Sequence, residues 1–318
     1  MYKPLTTLER QNGAEMDRDK WMSNTSYWMP RHIVESAWLE HAPFAFWLVD
    51  AIRPRSIVEL GTHNGFSYFT FCEAIRRLGL PTRAFALDSW EGDDQAGFYG
   101  HDVYDDVAAV NDSEYASFST LLRGYFDDSL GSIADASVDL LHIDGRHGYE
   151  DVRHDFGAWL PKLTDRGVVI FHDTAEKQAG FGVWQFWAEV SEQYPSFEFV
   201  HGHGLGVLAV GSEAPTSIVE FINAATENPA EVRSCYEELG ATISRQFELE
   251  AAPLELNAMR GRLQSALELA ETRAGETERT HTDLLGALAQ IQQLRNSSSW
   301  RVTKPLRAAS DVLRGRKS

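Results

Sequence analysis

Three side chains able to share a cation stand at the ends of two apolar runs. Asp144 follows Val138-Asp-Leu-Leu-His-Ile143, and His172-Asp173 follow Gly167-Val-Val-Ile-Phe171. If the runs are neighbouring parallel strands, their carboxyl ends lie side by side, beside the crevice where open α/β sheets bind ligands. Two carboxylates and an imidazole converging there would be costly without neutralisation. A divalent cation supplies it, and Mg²⁺ prefers a few carboxylates completed by water and substrate oxygens. The expected metal ligands are therefore Asp144, His172 and Asp173.

A second constellation lies upstream. The run Ser56–Leu60 leads into Glu59-Leu-Gly61-Thr62-His-Asn64-Gly65-Phe-Ser67, and Arg83–Leu87 leads into Asp88-Ser89-Trp90. Glycine at 61 and 65 permits a tight turn and close approach of a ligand to main-chain N–H groups at a helix N-terminus. Asp88 closes the second run, where a carboxylate can hold the two hydroxyls of a ribose. The spacing is G-x-x-x-G, not the G-x-G-x-x-G of dinucleotide sites, and no Walker lysine follows Gly65.

An acid, a G-x-x-x-G turn and a second acid after the next strand resemble the S-adenosylmethionine site of class I methyltransferases. From Ile143-Asp-Gly-Arg-His-Gly-Tyr149 through Phe171-His-Asp-Thr174 the chain also resembles metal-dependent O-methyltransferases grouped with cephalosporin hydroxylase-like and macrolide-sugar O-methyltransferases. The resemblance covers about residues 30–211. It implies that Glu59, Gly61 and Asp88 hold S-adenosylmethionine, while Asp144 and Asp173 bind the metal; beside these positions, Thr62, Asn64, Gly65, Ser89 and Trp90 are expected in the same cofactor pocket. The relatives carry an acid where this chain has His172, which admits Mn²⁺ or Fe²⁺ beside Mg²⁺. Their general base lies three residues after the first metal carboxylate, a place taken here by His147. The implied reaction is O-methylation of a hydroxyl on a sugar or glycan intermediate. A metal-dependent oxygenase on the same scaffold and a non-catalytic scaffold in a glycan-assembly complex are the alternatives.

The elements that must position these groups follow from the pattern. Four apolar runs (56–60, 83–87, 138–143 and 167–171) read as strands covered on both faces. Helical spacing over 67–80, 149–163 and 183–193 alternates with them, so the fold class is α/β, a doubly wound Rossmann-like sheet. Phe197–Val200 and Gly206–Val210, around His201 and His203, predict an antiparallel hairpin at its edge. His142 inside a strand reads as a core residue, and Tyr149 and Trp159 as packing residues. Between Ser89 and Tyr115 there are eight acids and no Lys or Arg. This long polar connection predicts a substrate lid, with Phe98, Tyr99 and His101 as contacts.

The organisation expected along the chain is an N-terminal extension (1–29), the catalytic domain (30–211), a helical connector (212–253), a coiled-coil-like helix (254–295) and a basic amphipathic tail (296–318). Leu256, Leu263, Ala270, Thr277, Leu284 and Ile291 recur every seven residues, a period that suggests self-association or a glycan-assembly partner. From Arg295 onward seven basic residues face one acid, which suggests weak, salt-sensitive contact with an anionic membrane surface. The 318 residues carry a net charge of −18, which excludes a general nucleic-acid binder. Two cysteines, Cys72 and Cys235, cannot build a disulfide scaffold. No apolar run long enough to span a bilayer is present, and the expected location is cytoplasmic, peripheral at the inner membrane face.

Overall fold

The computed structural model describes residues 18–93 and 97–313. Residues 1–17 of the expected extension, 94–96 of the acidic connection and 314–318 of the basic tail lie outside the described residues. Contacts divide the chain into a unit ending at Leu249 and a second beginning at Glu250.

The first unit is built on a seven-stranded sheet: β1 (Ser56–Leu60), β2 (Arg83–Asp88), β3 (Ser119–Arg123), β4 (Val138–Ile143), β5 (Leu163–His172), β6 (Ser196–Phe199) and β7 (Leu205–Ala209). The spatial order is β3-β2-β1-β4-β5-β7-β6. The first five strands run parallel, and the β6–β7 hairpin adds an antiparallel edge. The order reverses between β1 and β4, the switch point where the crevice of such a sheet opens. The expected doubly wound class and edge hairpin are thus what the chain forms. The sequence reading omitted β3.

Two apolar layers cover the sheet. On one face α1 (Ala42–Ile52) and α2 (Phe66–Leu78) bury Phe44, Trp47, Phe69 and Phe71 against Ile57, Leu140 and Ile170. On the other, α4 (Tyr149–Trp159) and α5 (Val183–Val190) bury Phe156, Trp159, Phe186 and Trp187 against Val58, Leu141 and Phe171. Helix α3 (His101–Val110) follows the acidic connection.

The expected extension and connector both add to the first core. Trp21 is buried near Tyr236, whose hydroxyl donates to the Trp21 carbonyl. After α6 (Thr216–Glu227) comes α7 (Pro229–Asn296), whose early residues Val232, Tyr236 and Ile243 are also buried. Proline lacks the N–H an interior turn needs, and Pro253 in α7 falls just past the division at Leu249. In the second unit α7 is solvent-exposed from residue 256 to 296, and α8 (Lys304–Leu313) closes the described chain. Among the described residues no helix is long and apolar enough to cross a membrane.

Candidate active site

Strand register brings the expected cluster together. Ile143 pairs with Phe171, so the next residues, Asp144 and His172, come abreast. Asp144 is anchored by its N–H to the Leu60 carbonyl at 2.8 Å. Asp173 adopts φ 61°, a left-handed conformation that is strained for a residue with a Cβ. It leaves the strand path, and His147 Nε2 meets its Oδ2 at 3.0 Å. The His147 ring also stacks on Phe181 at 4.6 Å, with the two planes nearly parallel. Asp144, His147 and Asp173 can each offer one donor atom, all within 4.8 Å of one another.

That trio shares Asp144 and Asp173 with the expected ligand set and adds His147. His172 Nδ1 lies 3.2 Å from Asp144 Oδ1 and 3.5 Å from Asp173 Oδ1, while Nε2 donates to the Gly202 carbonyl at 3.1 Å. Burial opposes its charge, but the two carboxylates prevail and raise its pKa to about 9. His172 thus neutralises the two carboxylates in this structure, and His147 stands beside it as a further candidate donor. The same pairing works on Asp144: burial alone would push its pKa up, and His172 reverses that and holds it low. For His147, burial lowers the pKa and the Asp173 contact outweighs it, so the net shift is upward.

The cluster forms one wall of a cavity of about 970 Å³ that also reaches Gly61, Thr62, Asn64, Asp88, Ser89, Phe98 and Tyr99. This volume lies at the upper end of small-molecule sites. The two glycines are demanded by packing. A Cβ on Gly61 would fall 1.9 Å from the Asp144 carbonyl oxygen, and Gly65, at φ 82°, would meet the Phe69 ring. Asp88 is engaged from within: Oδ2 accepts the N–H groups of Thr62 (2.8 Å) and His63 (2.9 Å), and Oδ1 that of Trp90 (2.7 Å). The carboxylate thus shapes the loop while still facing the cavity.

Three expected contacts lie elsewhere. Glu59 is fully buried away from the cavity, with Oε2 2.8 Å from His142 Nδ1, and burial raises its pKa. Trp90 is buried, donating to the His63 carbonyl and packing edge-on to Tyr104. His101 Nδ1 accepts from Arg123 at 3.2 Å, outside the cavity lining. Of the expected lid, Tyr99 stacks on His63 at 4.8 Å and Phe98 stands 77% exposed at the rim.

Sequence reasoning missed two participants. The β6–β7 turn walls the cavity: the Gly202 carbonyl receives both His172 and His41, and His203 pairs with Glu176 at 2.9 Å. The hairpin and its histidines were legible, but not the pairing of β7 with β5 that brings the turn beside the carboxylates. Asp155 also lines the cavity. Burial raises its pKa to about 7, and no motif marks it.

Residues 58–174 match a family model described as a methyltransferase domain. With the strand order above, this segment has the class I methyltransferase fold that the sequence resembles. A curated relative, the uncharacterized protein y4gI of Sinorhizobium fredii (strain NBRC 101917 / NGR234), is 53% identical over 192 residues, 60% of this chain and 21% of that protein. The chain thus spans about a fifth of that relative. Among solved structures, the O-methyltransferase TomG from Streptomyces achromogenes in complex with SAM is 17% identical, covering 62% of this chain and 99% of its own, with a TM-score of 0.42. A putative O-methyltransferase from Klebsiella pneumoniae is 21% identical over 57% and 84%, with a TM-score of 0.41.

Proposed function

We propose that this chain transfers the methyl group of S-adenosylmethionine to a hydroxyl oxygen of a sugar or glycan acceptor, assisted by a divalent cation. The observation that carries this reading is the shared cavity, with the Gly61–Gly65 loop on one wall and the Asp144–His147–Asp173 donors on another. Buried Thr62 Oγ1, without a hydrogen-bond partner in the structure, leaves a polar contact for a cofactor at that loop. The sugar preference rests on the sequence resemblance and on flat aromatic faces at the cavity, Phe98, Tyr99 and Phe181.

The donor set fits a hard or borderline cation, two carboxylates and one imidazole being suited to Mg²⁺, Mn²⁺ or Fe²⁺. Bound between Asp144 and Asp173, such an ion would supply Lewis acidity that lowers the pKa of an acceptor hydroxyl. The chain's own task is to orient the acceptor and take its proton. His147 is placed for that: Asp173 fixes the ring, Phe181 holds its plane, and the upward pKa shift strengthens it as a base.

The short separation of donor atoms favours a second reading of the same residue, as third metal ligand. Titrating Mn²⁺ into His147→Ala by calorimetry or paramagnetic resonance separates the two. Retained binding with lost turnover assigns the proton transfer, whereas lost binding assigns ligation. Calorimetric binding of S-adenosylhomocysteine tests the larger proposal, which fails if no heat appears at millimolar ligand.

A further inference from the structure

The long helix α7 carries an apolar stripe that no described residue of the second unit covers. Leu256, Leu263, Leu284 and Ile291 recur at seven-residue intervals, with Leu267 and Leu288 interleaved, and all six are 48–61% exposed. Placing the first series at d of a heptad puts Leu267, Ala274, His281 and Leu288 at a. The ladder from 256 to 294 spans about 58 Å at 1.5 Å per residue. Exposed apolar ladders of this period are buried by a partner helix wound in a left-handed supercoil.

We propose that residues 256–294 pair with the same segment of a second copy of this chain, parallel and in register. Charge at the flanking positions selects this occupant and this direction. The e positions next to the seam include Glu271 and Glu278, and the g position between them is Arg273. In a parallel pair, g of one helix faces the following e of the other, so Arg273 meets Glu278 of the second copy, twice by symmetry. An antiparallel pair would set e against e, acid against acid. A residue at d also makes identical layers: Leu256, Leu263, Leu284 and Ile291 each meet their own counterpart.

The weak middle of the seam fits this arrangement. Thr277 sits at d, but its hydroxyl donates to the Arg273 carbonyl of its own helix at 2.8 Å. The hydroxyl is satisfied inside the helix, so the layer carries no unsatisfied donor. Ala270, Ala274, Thr277 and His281 then form a low-contact centre between two leucine-rich ends. The centre adds little affinity, and the two ends set the register.

The full-length chain tests this by sedimentation equilibrium. The expected species is a reversible dimer, and a monomer throughout the micromolar range would overturn the proposal. R273E should weaken the dimer about five- to tenfold by setting acid against acid at two exposed contacts. E278R should do the same, and the double variant R273E/E278R should restore the parental affinity. Additive weakening in the double variant would overturn the g–e′ pairing. Direction is read with R260C in a C235S background, which places one thiol at an a position near the start of the ladder. Oxidation should link two copies in a parallel pair, and a dimer that yields no disulfide would overturn the parallel register.

Discussion

Strand β4 has one aspartate near its start and another just past its end, and the two live in opposite circumstances. Asp139 is completely buried, and the chain's own donors fill its lone pairs. Oδ2 accepts the Arg55 N–H (2.8 Å) and Nε (3.0 Å), and Oδ1 accepts Arg55 Nη2 (2.9 Å) and Thr164 Oγ1 (2.7 Å). Asp144, six residues from the strand's start, has His172 on Oδ1 and otherwise opens on the cavity beside Asp173 and His147. Burial would raise the pKa of both, and neighbouring cations lower both. A depressed pKa therefore does not separate structure from chemistry. Unfilled acceptor capacity facing a cavity does, since a carboxylate offers about four lone-pair sites.

Substitutions should separate the two ends. The largest effect is expected from Asp144→Ala or Asp173→Ala, which should remove metal-stimulated methyl transfer while leaving the thermal transition of the first unit in place. Full activity in EDTA would break the contrast, making the upper carboxylates structural too. Next comes His147→Ala, expected to lower kcat by about 10²–10⁴-fold, the usual size of a lost general base. Equal loss in KM with kcat unchanged would reduce it to a group that positions the acceptor.

What the sequence made legible follows the same division. Strands β1, β2, β4 and β5 were readable because both faces are covered, giving near-continuous apolar runs. Strand β3, Ser-Thr-Leu-Leu-Arg at the sheet edge, is only partly buried, so its pattern is mixed and it was missed. Helix α1 was missed for the opposite reason: nine of its eleven residues are buried, which erases the 3.6-residue contrast. At the site, parallel register was enough to bring Asp144 and His172 abreast. It could not reveal that the left-handed turn at Asp173 meets His147, or that His172 reaches Gly202, thirty residues on. Trp90 and His101 were read by residue type as ligand contacts. Their partners, the His63 carbonyl and Arg123, depend on how the connection after β2 folds back.

The lower end of β4 makes a smaller prediction, in stability. Asp139→Asn keeps the shape but turns an amide NH₂ toward a set of donors, at a cost of about 1–3 kcal/mol in urea unfolding near neutral pH. The Asp139 pKa is about 2 in the folded chain against about 3.9 unfolded. Its stabilisation is present above about pH 4 and fades as pH falls toward 2. The gap between parent and variant should therefore close across that window. A gap constant from pH 7 to pH 2 would mean that the ionised carboxylate is not what holds Arg55 and Thr164.

Asp155 sharpens the comparison from a third side. It is buried at the cavity wall, and its neighbours Asp151 and Asp127 add to the burial in raising its pKa to about 7, although His154 opposes them. The folded chain then holds a proton that the unfolded chain releases above about pH 4. The group contributes fully to stability below that pH, less as pH rises, and nothing above about 7. Asp155→Asn preserves the neutral shape without the ionisation, so Tm should rise at pH 8, with almost no change at pH 4. An equal change at both pH values would mean that the substitution acts by packing rather than through charge. The pH-dependent rise would instead make Asp155 a buried carboxylate that the chain neither satisfies, as it does Asp139, nor sets beside a second donor, as it does Asp144.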